Sequence, residues 1–438
     1  MANGEAYQGL FSRFALATRA LHSRNFRLFF AGQSISLVGT WMQRIAVSWL
    51  VYRLSGSAFL LGMVGFFSQI PTFVISPYAG VLADRLDRHR AIVVTQIMSM
   101  LQALILATLT LTNHIDVWQV LALSALLGVI NGFDIPIRQS FMIEMVDKRE
   151  DLGNAIALNS FMVNGARLIG PSVAGILIAV AGEGVCFLVN GLSYIAVIAS
   201  LLAMSLPPHA ARAQVATFGK ELKDGFSYAF GSLPIRSILL LMALVSLMGM
   251  PYMVLMPVVA KDILHGGAHT LGFLTGASGA GALLGAVYLA SRPSVVGLVR
   301  GLILSAALFG AGLILFSFST VFWLSLPLLM VVGFAMMTQM AGSNTLLQTL
   351  VSDEMRGRVM SFFAMAFMGM APFGSLLAGS LADWFGAPYA LLVCGAACLL
   401  GAAWFRHLYP RLREAVAPIY VSKGILPAEE LSPADRML

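Results

Sequence analysis

Long apolar runs, most of them of bilayer-crossing length, alternate along this chain with short polar connections. A helix needs about 20 mostly apolar residues to span the hydrocarbon core, and by that measure the pattern predicts twelve helices. They run over about 27–53, 58–83, 91–112, 117–143, 154–181, 185–206, 236–262, 269–291, 296–318, 320–348, 357–382 and 386–407. Gly and Pro recur inside them, as in membrane helices generally, because neighbouring helices re-satisfy the freed backbone groups. The expected fold class is therefore an all-α membrane protein with twelve transmembrane helices.

The longest polar connection, 207–235, divides the runs six and six. This predicts an N-terminal six-helix bundle over 27–206 and a C-terminal six-helix bundle over 236–407. A cytoplasmic segment 1–26 and a cytoplasmic tail 408–438 flank them. Residues 218–230 (FGKELKDGFSYAF) read as an amphipathic segment on the membrane surface. The tail, with Pro410, Pro418, Pro427 and Pro433, reads as loosely ordered. The halves resemble each other at an offset near 204–205: Gly170-Pro-Ser-Val-Ala-Gly175 faces Gly374-Ser-Leu-Leu-Ala-Gly379, and Gly80 faces Gly285. A six-plus-six repeat is a transporter signature.

Charge orients the bundle. Connections on the side of the termini hold 22 of the 27 Lys and Arg residues, the opposite side only Arg53 and Lys261, and Arg44, Arg138 and Arg167 lie within spans. An excess of basic residues marks cytoplasmic connections, so both termini are expected in the cytoplasm. Only 11% of residues are charged, against about 25% in a soluble domain. The net charge of +7 thus reads as topology, with membrane lipids rather than nucleic acid as partner. The first 25 residues lack an apolar stretch of about 7–15 residues before a cleavage site, which argues against a cleaved signal peptide. Cys186, Cys394 and Cys398 lie in apolar runs and read as core. With no phosphate-binding Gly-Lys-Ser/Thr run and no ligand-spaced His pair, the expectation is no enzyme, no catalytic residue, no metal and no cofactor.

The connection between the second and third runs reads Gly80-x3-Asp84-Arg85-x2-Arg88-x-Arg90, with Asp87 in place of a customary Gly. On this motif and the repeat, the chain resembles the major facilitator superfamily over roughly residues 25–407. Within it, the chain is similar to the enterobactin-exporter and macrolide-efflux branch. That resemblance rests on Phe26-Arg27-Leu-Phe-x3-Gln33-x-Ile-Ser36-x2-Gly39-x-Trp41-x2-Arg44, Asn131-Gly-Phe-Asp134-x-Pro136-x-Arg138-Gln139, Asn164-x2-Arg167-x2-Gly170-Pro171 and Asn344-x3-Gln348. The resemblance implies a cytoplasmic gate built from Gly80, Asp84, Arg85, Arg88 and Glu144. It also implies a central cavity lined by the first, fourth, seventh and tenth spans, making Gln33, Trp41, Asn131, Tyr252, Gln339 and Asn344 the cavity candidates. The Gly-Pro run of the fifth span resembles the antiporter motif of drug exporters and implies proton-driven export across a bacterial cytoplasmic (inner) membrane.

Asp134 is the one acidic residue well inside a span, where a charge costs at least ~2.5 kcal/mol. Arg138 stands one turn away on the same face, and Arg167 sits at similar depth in the next span. The three read as a buried cluster, either a structural ion pair or a proton or substrate site. Two arginines would hold Asp134 ionised, which argues against it as a lone proton carrier. Arg44 has no acidic partner in its own plane, so it either attracts an anionic group or pairs with a backbone carbonyl. Thirteen of the 24 Met residues lie in the seventh, tenth and eleventh spans, as ordinary filler or as an adaptable apolar lining. The expected function is a secondary transporter, acting as a monomer by alternating access, that exchanges protons for exported hydrophobic or amphipathic small molecules. An importer or lipid flippase on the same fold, or a non-transporting scaffold or sensor, are the alternatives.

Overall fold

The computed structural model describes residues 18–83, 87–205 and 218–426, and every long element among them is a helix. In chain order these are α1 Arg24–Ser55, α2 Ala58–Ala83, α3 Arg88–Leu111, α4 Val117–Phe141, α5 Leu152–Ala181, α6 Glu183–Leu202 and α7 Phe218–Gly231. They continue with α8 Leu233–Ile263, α9 Ala268–Ala290, α10 Leu298–Ser317, α11 Phe322–Leu350, α12 Arg356–Phe385 and α13 Ala387–Ser422. Among the described residues, eleven of these are long and apolar enough to cross a membrane. The twelfth is α1, 32 residues long, whose Gln33, Gln43 and Arg44 dilute its apolar character. Each expected run therefore has its helix.

The helices group into two compact units. The first is Met1–Leu50 with Pro71–Gln214; the second is Val51–Ile70 with Val215–Leu438. Residues 51–70, expected in the N-terminal bundle, thus cluster with the second unit. Their contacts there explain it. The Tyr52 hydroxyl donates to Asp262, the Ser57 hydroxyl donates to Asp383 at 3.2 Å, and Gly62 lies against the Ser375 carbonyl and the Gly379 backbone.

Polar side chains hold the first unit together. The Asn190 amide donates to Gln43 at 2.7 Å, Gln43 donates to Gln102 at 3.0 Å, and Gln102 donates to the Leu123 carbonyl at 3.2 Å. This chain, whose three amide side chains are all buried, ties α1, α3, α4 and α6. The second unit is packed by glycine. A Cβ on Gly281 (α9) would fall inside contact distance of the Met330 carbonyl on α11, and one on Gly333 (α11) would strike the Ser278 carbonyl on α9. Small residues of this kind let membrane helices approach backbone to backbone. Three wide π turns interrupt this unit's helices, at Val245–Gly249 and Val259–Ile263 in α8 and Met365–Gly369 in α12.

One expectation is corrected. The tail is not loose from residue 408, because α13 runs on to Ser422 through Pro410 and Pro418. Leu412, Val416 and Tyr420, one turn apart, are buried, and the Tyr420 hydroxyl donates to the Val295 carbonyl at 3.4 Å. That contact outweighs the two prolines' disruption of the helix. The segment read as amphipathic forms the helix α7, which also touches α12. Its Phe226 meets Phe362 edge-on with ring centres 6.0 Å apart, and its Asp224 faces Arg358 at 3.8 Å.

Candidate functional site

The charges expected at mid-depth fall into two groups, both in the first unit. In one, Asp134 on α4 is 2% exposed, and its carboxylate has three partners. Arg138, one turn on, pairs with one oxygen at 2.5 Å. The other oxygen accepts from the Thr95 hydroxyl and the Gln96 amide, each at 2.8 Å, both from α3. An ion buried this deep persists only when paired and hydrogen-bonded, and here both conditions are met.

In the other group, Arg44 and Arg167 lie on the Trp41 ring. Their guanidinium carbons are 4.5 Å and 5.7 Å from its centre, within the reach of a cation–π contact. A glycine makes this possible. Gly170 brings α5 so close to α1 that a Cβ there would meet Trp41 Cβ at 2.5 Å and the Val38 carbonyl at 3.0 Å. Arg167 stands three residues earlier on α5, nearly a full turn back towards the N-terminal end of that helix. The Gly-Pro run thus sets one wall of the arginine site. The sequence joined Arg167 to Asp134 by depth alone; the structure sets it beside Arg44 against the indole.

Of the gate candidates, Arg88 and Glu144 come together at 2.7 Å. Asp84 and Arg85 lie outside the described residues, and so do the surroundings of Gly80. The cavity candidates divide. Trp41, Asn131 and Asn344 are partly accessible, whereas Gln33, Tyr252 and Gln339 are 3%, 1% and 0% exposed. Tyr252 is packed edge-on to Phe309 and hydrogen-bonded to Ser278 at 2.5 Å. Asn344 accepts from the Gln348 amide one turn on.

A model of the family described as transmembrane secretion effector matches residues 16–432. The chain belongs to that family, within the major facilitator superfamily. The staphyloferrin A transporter of Staphylococcus aureus is 28% identical over 364 residues, covering 82% of this chain and 90% of the relative. Macrolide efflux protein A of Streptococcus pyogenes is 21% identical over 376 residues, covering 84% and 92%. Among solved structures, the nucleoside transporter NupG superposes with a TM-score of 0.69 at 13% identity, over 88% of this chain and 99% of that one. At that identity the likeness speaks for the fold alone. This secretion-effector chain is an integral membrane transporter related to siderophore and macrolide efflux proteins.

Sequence reasoning missed four polar residues of this transporter's first unit. Thr95, Gln96 and Gln102 on α3 are buried, with Ser99 between them. Their spacing, a polar stripe at i, i+1, i+4 and i+7 on an otherwise apolar run, is the signal that could have found three of them. Gln43, next to the much-noted Arg44, had no comparable flag.

Proposed function

We propose that this protein exports hydrophobic or amphipathic small molecules, of siderophore or drug type, by alternating access coupled to protons. The observation that carries the reading is the ionisable machinery at mid-depth of the first unit. A scaffold gains nothing from a buried carboxylate with three bonds and two further guanidiniums on one indole, and intramembrane charges usually mark a transport pathway. The relatives' siderophore and macrolide substrates supply the ligand type and favour outward transport. Proton uptake by Asp134 would remove the charge that pairs with Arg138 and weaken the bonds it accepts from Thr95 and Gln96. That local change is the coupling event in this reading. Both termini are cytoplasmic, following the 22-to-2 split of basic residues.

The test is an efflux panel of drugs and siderophores in cells stripped of their own exporters. Cells making the protein should accumulate several-fold less of at least one compound, and a protonophore should abolish the difference. Equal accumulation across the whole panel would overturn the export reading. Efflux indifferent to the protonophore would remove proton coupling alone.

A further inference from the structure

Well inside the spans of this chain stand three arginines and one carboxylate. Asp134 is engaged with Arg138, Thr95 and Gln96. Arg44 and Arg167 stand together on Trp41, near enough that each feels the other's charge. Two like charges side by side at mid-depth repel and add to the burial penalty of each. The π face of Trp41 offsets part of that; a bound anion would offset more. Arg44 is also exposed rather than packed in. An exposed guanidinium is penalised against lipid tails, so this one is placed for water or a ligand.

We infer that Arg44 and Arg167, spread over the Trp41 ring, recognise a carboxylate or similar anionic group on the exported molecule, so that the substrates are anionic amphiphiles. The guanidinium fork matches a carboxylate with two parallel hydrogen bonds. The half-buried indole offers the adjoining apolar part of the molecule a flat surface. The same pair of charges repels cations, which gives selectivity by exclusion as well as by attraction. The inference rests on the exporter reading above and adds the substrate class.

The experiment uses everted membrane vesicles containing the full chain and energised by respiration, so that export appears as uptake. The probes are calcein, a fluorescent polycarboxylate, and rhodamine 6G, a cation. Wild-type vesicles take up calcein in preference to rhodamine 6G. Arg44→Gln and Arg167→Gln each lower calcein uptake about tenfold relative to rhodamine 6G uptake by the same vesicles, the loss of preference expected for one charge-assisted hydrogen bond. A second measurement needs no variant. On wild-type vesicles, 2-naphthoate competes with whichever panel compound moves, at concentrations about tenfold below those of its neutral amide. Uptake of rhodamine 6G without calcein, or equal competition by acid and amide, overturns the anion inference and leaves export standing. No movement of any dye or panel compound overturns the export reading, and this inference with it.

Discussion

At Gly170 a Cβ would meet Trp41 and the Val38 carbonyl; at Gly374, one internal repeat later, it would meet the Leu247 carbonyl and the Pro251 ring. The two units thus make the same crossing, the fifth expected span on the first and the eleventh on the seventh, through the same small-residue run. Around the first crossing stand Arg44, Arg167 and Trp41, with the Asp134 cluster and the Gln43–Gln102–Asn190 chain elsewhere in the same bundle. Around the second stand the π turn Val245–Gly249, whose Ser246 hydroxyl donates to the Phe367 carbonyl, and the half-buried Met248, Met250 and Met253. Backbone geometry is duplicated while the chemistry has diverged. A close helix crossing is a mechanical element that either charge or soft apolar surface can be built on. Both units are therefore sensitive to gain of volume at their glycine crossings, and the first is sensitive to loss of a polar partner as well.

The comparison breaks most directly at Asp134. Asp134→Ala leaves the partly buried Arg138 without its carboxylate. Orphaning a fully buried charge costs ~3–5 kcal/mol in soluble proteins, and the partly exposed guanidinium should cost somewhat less. The expected outcome is a large fall in the melting temperature of the purified protein, or its failure to accumulate. Asp134→Ala with Arg138→Met should recover much of the loss, because the structure makes Arg138 the ion-pair partner. An additive double mutant would show that the 2.5 Å pair contributes nothing.

The counterpart in the second unit is Gly333→Ala. Its Cβ has no room against the Ser278 carbonyl, and forced overpacking costs ~1–3 kcal/mol. Gly165→Ala in the first unit, where nothing lies within 4 Å, is the matched control and should leave thermal stability unaltered or slightly raised. Equal melting temperatures for the two variants would remove the claim that glycine packing holds the second unit.

A smaller effect is expected from Gln43→Leu, which leaves the Asn190 amide without its acceptor and Gln102 without its donor. A hydrogen bond between membrane helices is worth on average ~0.6 kcal/mol and at most about 2. With two bonds lost, stability should drop by about 1 kcal/mol, read from the denaturation midpoint. Asn190→Leu, which removes the bond to Gln43 but not that between Gln43 and Gln102, should cost about half as much. Combining the two should cost less than the sum, because they share the Asn190–Gln43 bond.

Most of the helices were legible in the sequence because each is a long apolar run between short polar connections, a run length that bilayer thickness imposes directly. What was not legible depends on neighbours far along the chain. Pro410 and Pro418 advertise a broken tail, yet the buried Leu412, Val416 and Tyr420 carry the helix through them. Residues 51–70 continue the first bundle in sequence but pack with Ser375, Asp262 and Asp383. Depth along a helix singled out Asp134, Arg138, Arg167 and Arg44 as charges within apolar runs. Depth carries no information about the azimuth around the helix, and azimuth set Arg167 against Trp41. Thr95 and Gln96 were passed over because uncharged polar residues are common in membrane helices; only their shared stripe on α3 marked them.

The smallest stability change, and the sharpest test of the divergence, comes from methionine. Met248 and Met253 on α8 and Met337 and Met340 on α11 are all half-buried. If they are only filler, changing all four to Leu is close to volume-conserving, and each change should cost under about 1.5 kcal/mol. If they line an adaptable surface, stability should hold while function changes. The unbranched thioether chain reshapes around differently shaped apolar groups and Leu does not. The expected result is an unchanged melting temperature, with export retained for some panel compounds and reduced several-fold for those of most different shape. The conservative change Arg44→Lys in the first unit should act differently. It keeps the charge and loses the fork, so it should weaken anionic compounds as a class whatever their shape. A quadruple Met variant that scales every compound equally would show that its methionines are packing alone, and the proposed division of chemistry between the crossings would rest on the first unit only.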